Sequence, residues 1–171
     1  MNMAFNPVFI GDIIRNVVTS ITTFDVDGVP DLYFMQGEAI PVFSDIKESG
    51  LANINTFPLI YLKRDFAESL DGKAPNTSVT LNIFILTPTN KDYNTEQRIE
   101  ISFRPILMPI YAKFINALYA NRSILKENGL LFPPHDKTDH PFWGTESIKG
   151  NVPFDVIEIE NLKLKFINSQ C

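Results

Sequence analysis

Near the end of the chain, the segment DVIEIENLKLKF carries an apolar alternation that reverses phase once. Ile157 and Ile159 share one phase, while Leu162, Leu164 and Phe166 share the opposite one. A β-strand has a side-chain period of two. It cannot bring both sets to one buried face unless an extra residue is inserted. The reversal falls at Glu160-Asn161, so a β-bulge or a tight turn is predicted there, and the segment is a strand or a hairpin. Glu158, Glu160, Lys163 and Lys165 form its outward polar set.

Other segments supply partners for that strand. In VTLNIFIL, Val79, Leu81, Ile83 and Ile85 share one face. Thr80 and Asn82 point the other way, and Phe84 and Leu86 make that second face apolar toward the far end, until Pro88 stops the strand. FPLIYL, residues 57–62, is a short continuous apolar run of the kind buried on both faces of a sheet. Asp25 to Pro30 reads as a turn with an Asp-Gly signal, flanked by strand candidates at Phe24, Val26 and residues 32–35. Residues 67–76 and 87–95 read as polar loops.

Two helices are predicted around the strands. Residues 7–21 place Val8, Ile10, Ile14, Val17, Val18 and Ile21 near helical spacing, with Asn6 as N-cap and Pro7 in the first turn. Phe103, Leu107, Ile110, Phe114 and Leu118 step by three or four residues and mark a longer helix. Pro105 and Pro109 predict a kink or a late start, and the helix is expected to end near residues 123–128, with Gly129 as the stop signal. Ser44 begins one or two helical turns ending at Gly50. Residues 130–153 contain Pro133, Pro134, Pro141, Gly144, Gly150 and Pro153 and read as a long irregular loop, a possible interface arm. The order predicts a single α+β domain over 1–171: a mainly antiparallel sheet flanked by an N-terminal helix and a longer second helix.

Composition limits the partners. A net charge of −5, with Lys63-Arg64 as the longest basic cluster, argues against gripping nucleic acid through a broad basic face. The one cysteine, Cys171, offers neither a disulfide framework nor a metal cluster and suits a reducing compartment. The first residues lack a basic stretch before the apolar ones, so no signal peptide is expected. No apolar run reaches the roughly 18 residues of a membrane-spanning helix. Fourteen Phe against one Trp can fill a core or an interface between subunits.

The candidate chemistry is sparse. His135, Asp136, Asp139 and His140 form an HDxxDH cluster whose side chains suit a divalent metal. Their spacing matches no zinc signature, and turn-making polar residues account for the pattern equally well. Asp25 and Asp27 resemble the opening of a calcium loop, but the later oxygen ligands are missing. Ser44, Ser49 and Ser78 lie in no nucleophile elbow, and the glycines are scattered rather than gathered in a phosphate loop. Glu38, Glu96, Glu100 and Glu158 are carboxylates that would need to converge to act together. No catalytic residues, metal or cofactor are assigned, and the chain reads as a structural protein rather than an enzyme. Trp143, in HPFWG, is an aromatic anchor for the core or for a neighbouring subunit.

Three segments carry a resemblance. FPLIYLKRDF (57–66), RPILMPIYAKFINAL (104–118), and HPFWG (140–144) followed by DVIEIENLKLKF (155–166) resemble parts of phage neck and tail-completion proteins, of the kind found in phages and prophages of Bacteroidetes. The order of elements resembles the tail terminator fold. The resemblance covers about half the chain and rests on apolar patterns. It implies a virion protein, made in the host cytoplasm, that forms a homo-oligomeric ring at the head–tail junction or tail end. Portal-side, neck or tail proteins would stack on it, and double-stranded DNA would pass through its lumen without sequence-specific binding. Phe132, His140, Phe142 and Trp143 are the expected interface residues. The competing expectation is a small cytoplasmic metal-dependent or ligand-binding protein that uses the His135–His140 loop.

Overall fold

The computed structural model describes residues 9–21, 32–38, 57–70, 76–127, 129–143 and 153–167. Its strands are β1 (Tyr33–Gly37), β2 (Leu59–Lys63), β3 (Glu68–Leu70), β4 (Asn76–Pro88), β5 (Asp136–Trp143) and β6 (Phe154–Ile167). They form one sheet in the order β1-β2-β4-β6-β5, with β3 also paired to β4. β1 and β2 run parallel, and the other pairings are antiparallel. Helix α1 is Ile10–Ser20. Helix α2 is a continuous 26-residue helix in three parts: α-helical Thr95–Arg98, π-helical Ile99–Leu107 and α-helical Met108–Ala120. This is the predicted α+β architecture, a mainly antiparallel sheet with an N-terminal helix and a longer second one.

The phase reversal is a bulge within one long strand. Leu81 pairs with Leu162 and Ile83 with Ile159, so β6 holds one residue more than β4 across that interval. Asn161 takes up the extra length at φ 54°, in the left-handed region that Asn enters more readily than most residues. Its N–H donates to Asn82 Oδ1 at 3.1 Å, and its side-chain amide donates to an Asp136 carboxylate oxygen at 2.8 Å. With the phase corrected, Ile157, Ile159, Leu162, Leu164 and Phe166 join a single buried cluster.

Both helices cover that face of the sheet. Ile10, Ile14, Val17 and Val18 of α1, and Phe103, Leu107, Ile110, Phe114 and Leu118 of α2, pack with Leu81, Ile83 and Ile85 of β4. α1 approaches β1 closely, because a β-carbon at Gly11 would overlap the side-chain amide of Gln36. The second face changes character along its length. At one end Phe57, Leu59, Tyr61, Phe84, Leu86, Phe154 and Val156 form a smaller buried cluster. At the other end its side chains are polar, and Thr80 and Lys163 stand exposed. β2 belongs to both clusters, which explains its unbroken apolar run.

A buried ion pair ties α2 to the start of β6. The Arg98 guanidinium lies 3.3 Å from Asp155 Oδ1, with the two side chains 5% and 0% exposed. It also donates to Thr89 Oγ1 at 3.1 Å and to the Asn90 carbonyl at 2.8 Å, which fixes the turn leaving β4. That turn runs into a capping box. The Asn94 side chain accepts from the Gln97 N–H, and the Gln97 side chain accepts from the Asn94 N–H, each at 2.9 Å.

Several expectations need correction. α2 begins at Thr95 without a late start, because the capping box closes its first turn and the π-helical stretch contains Pro105. In a π turn the bonding pattern lengthens to i+5, which displaces the carbonyl that a Pro ring crowds in an α-helix. α2 ends at Ala120, a little short of the expected end near residues 123–128. Gly129 instead sits at φ 88° in a turn where the Leu130 N–H donates to the Glu127 carbonyl at 3.2 Å. Residues 68–70 are strand rather than loop, since they continue the edge that β2 begins along β4. Residues 136–143, expected within an irregular loop, are β5, because β6 offers them an edge to pair with. The N-cap of α1 is Phe9, with no side-chain capping bond. The caps at Asn6 and Pro7, the turn at Asp25 to Pro30, the strand candidates Phe24 and Val26, and the turns between Ser44 and Gly50 lie outside the described residues.

Two stability predictions follow from these features. Asn161→Val forces a β-branched residue into positive φ and is expected to cost about 1–2 kcal/mol in urea unfolding, whereas Asn161→Gly costs less. Arg98→Met leaves Asp155 buried without its cation and is expected to cost about 3–5 kcal/mol, with Arg98→Met/Asp155→Leu recovering part of the loss.

Candidate functional site

Among the described strands β5 lies at one edge of the sheet, and alternation divides its side chains between the two faces. Lys137 pairs with Ile159 and Asp139 with Ile157, so both stand on the helix side. Asp136, Thr138 and His140 stand on the other side, where His140 Nε2 lies 2.8 Å from Glu158 Oε2 and Thr138 Oγ1 donates to Glu160 at 3.3 Å. The HDxxDH residues therefore separate into two pairs. His135 and Asp139 lie toward α2, and Asp136 and His140 lie on the second face. Among the described residues, no group of three or more His, Cys, Asp or Glu gathers as metal ligands.

On the helix side, four residues form a connected polar cluster. His135 Nδ1 is 2.6 Å from the Pro133 carbonyl, which can only accept, so Nδ1 carries the proton. In the neutral ring, Nε2 then accepts from the Tyr111 hydroxyl, 2.7 Å away. The Lys137 ammonium pairs with Asp139 and sits 5.7 Å from the centre of the Tyr111 ring. Burial pushes the Tyr111 phenol above its ordinary value, and the Asp139 carboxylate adds to the shift. Both effects disfavour a second negative charge beside Asp139. The cluster can hold a hydrogen-bonded, protonated phenol. A phenolate base is the state it disfavours.

An apolar ridge follows α2. Residues 123–127 and 129–134 run beside the part of β6 that β5 leaves unpaired. Leu125 N–H donates to the Lys165 carbonyl at 2.7 Å, Ile167 N–H to the Ser123 carbonyl at 3.0 Å, and Lys163 N–H to the Pro134 carbonyl at 3.0 Å. Ile124 forms a bridge with Phe166 and is buried. The chain between these anchors turns at Gly129 and presents Leu130, Leu131 and Phe132, which are 39%, 76% and 49% exposed. Phe132 packs against Tyr119, with ring centres 6.3 Å apart, and Lys126 covers the Tyr119 ring at 4.5 Å. Apolar side chains thus project from a backbone whose hydrogen bonds are satisfied at both ends.

Of the expected interface residues, Phe132 lies on this ridge, while His140 is on β5 and bound to Glu158. Phe142 and Trp143 end β5 after a one-residue register shift, with Trp143 paired to Phe154. The structure thus spreads the four along one edge of the sheet. Ser78 lies on β4, Glu100 pairs with Arg104, and Glu96 stands exposed on the first turn of α2, so these supply no shared site with Glu158. Ser44, Ser49, Asp25, Asp27 and Cys171 lie outside the described residues. Sequence reading missed the ridge at Leu130 and Leu131 and the Tyr111–His135 contact. The available signal for the first was three apolar residues directly after a turn glycine.

No protein-family model matches the chain, and no curated protein matches it.

The Tyr111 environment gives a measurable outcome. A raised phenol pKa contributes stability in full below the unfolded value, and this is lost as pH rises through the folded value. In an alkaline absorbance titration, Tyr111→Phe should remove one phenol that ionises above the ordinary value of about 10.

Proposed function

We propose that this chain is a structural virion protein of the tail terminator type, a subunit of a ring at the phage head–tail junction or tail end. The observation that carries the reading is the ridge of Leu130, Leu131 and Phe132, held outward beside the β5 edge. Apolar side chains fixed in solvent next to a sheet edge suit burial against a neighbour. A head-to-tail contact of this kind closes into a ring when the rotation between subunits allows it. The segments that carry the sequence resemblance also support the reading. They correspond to β2 and the chain after it, to most of α2, to the end of β5 and to nearly all of β6.

The reading assigns no chemistry to the protein. The ring would stack on portal-side, neck or tail proteins, and DNA would pass through it. The divided HDxxDH residues do not favour the metal-binding alternative.

Imaging of particles made with tagged protein tests the proposal. The expected result is ring density at the neck or tail end containing this chain, and its exclusion from every particle overturns the reading. Phe132→Ala, Phe142→Ala and Trp143→Ala should each reduce incorporation into particles more than they lower the unfolding free energy. For Phe132, which is half exposed, the stability change should stay within about 0.5 kcal/mol.

A further inference from the structure

The bulge at Asn161 sorts charges as well as apolar residues. Before it, Glu158 and Glu160 point to the second face of the sheet, since Glu158 pairs with Phe84 of the smaller apolar cluster. After it, Lys163 and Lys165 point to the same face, paired with Thr80 and Ser78. Without the extra residue, a period of two would send the acids and the lysines to opposite faces. The result is a strip of four charges that reads acid, acid, base, base along one strand. Glu158 and Lys165 are equally far from its midpoint, and so are Glu160 and Lys163. Exposed or half-exposed polar residues border it: Ser78, Thr80, Asn82, Asp136 and Thr138.

A strip in this order is complementary to itself. If two copies face each other with a two-fold axis lying between the faces and across the strand, β6 of one copy runs antiparallel to β6 of the other. Glu160 then stands opposite Lys163, and Glu158 opposite Lys165, with each pair occurring twice. Copies shifted in register or turned parallel would set like charges together. These four residues also hold contacts within their own chain, Lys165 among them, which the contact between copies would add to rather than replace. The Glu158 carboxylate also binds His140, and the Glu160 carboxylate also accepts from Thr138.

We infer that the polar end of the second face is a two-fold contact between two copies of this chain, formed by Glu158, Glu160, Lys163 and Lys165. It differs from the ring contact proposed above, which uses the ridge and the β5 edge, and it stands or falls separately. Exposed ion pairs are weak individually, so the dimer is a low-affinity, salt-sensitive one.

Sedimentation equilibrium of the full chain tests this. At low ionic strength a dimer is expected that dissociates as salt rises to about 0.5 M. Glu160→Lys and Lys163→Glu should each weaken it by about tenfold or more, because each places like charges together twice. The double variant Glu160→Lys/Lys163→Glu keeps the strip complementary and should restore association. A spin label at Thr80→Cys in a Cys171→Ser background leaves all four charges in place. It should report an interchain distance within about 25 Å, given the spacing of about 10 Å between stacked sheets. The inference is overturned if the wild-type chain stays monomeric at low salt up to about 1 mM, well above the affinity of even a weak specific contact. It is equally overturned by single reversals that leave the dimer intact, by a double variant that fails to restore it, or by a label that shows no interchain distance. Particle incorporation that depends on Phe132 should be unaffected by the charge variants.

Discussion

The pairing of β4 with β6 is the constraint on which the other elements depend. These two strands occupy the middle of the sheet, and each supplies one side of the ladder that β2 and β5 extend. The pairing holds in register along its whole length only because Asn161 accepts positive φ and hands its N–H to Asn82. Once that register is set, Leu81, Ile83 and Ile85 align with Ile157, Ile159 and Leu162 to make one apolar surface. Both helices then have a place to bury their stripes, which neither could do alone.

α2 shows how a helix with an unfavourable sequence is secured. Two prolines and several β-branched residues lower its intrinsic propensity. Three features compensate. The Asn94–Gln97 capping box closes the first turn. Arg98 fastens that turn to Asp155 and to the chain leaving β4. The π-helical stretch contains Pro105 and still delivers Phe103, Leu107, Ile110 and Phe114 to the core. The helix is thus anchored where its own hydrogen bonding is weakest.

What could be read from the sequence followed from periodicity. The phase flip at Glu160-Asn161, the two-sided burial of β2 and the mixed second face of β4 each correspond to a repeat of side-chain types, and each appears in the structure. The features that were missed depend on contacts between distant residues. The Arg98–Asp155 pair joins positions far apart in sequence. β5 looked like loop because Pro141 and its alternating polar residues lack a strand signature, and only the edge of β6 makes a strand of them. The start of α2 was hidden because Asn and Gln made its capping box in place of the commoner Ser or Thr with Glu. For the candidate site, HDxxDH appears as one cluster in sequence, but the pleat of a strand separates it. The ridge could not be distinguished from core residues, because apolar letters do not say which way they face.

The topology that joins β4 to β6 also has a kinetic side. Asn76 must find Ile167, and Pro88 must find Phe154, with all of α2 and β5 lying between them in the chain. Closing a loop of that span costs entropy before any contact rewards it. During synthesis, β4 leaves the ribosome well before β6, and its apolar positions on both faces stay uncovered in the interval. The strand most central to the finished sheet is therefore the one most exposed to wrong partners while the chain is still being made.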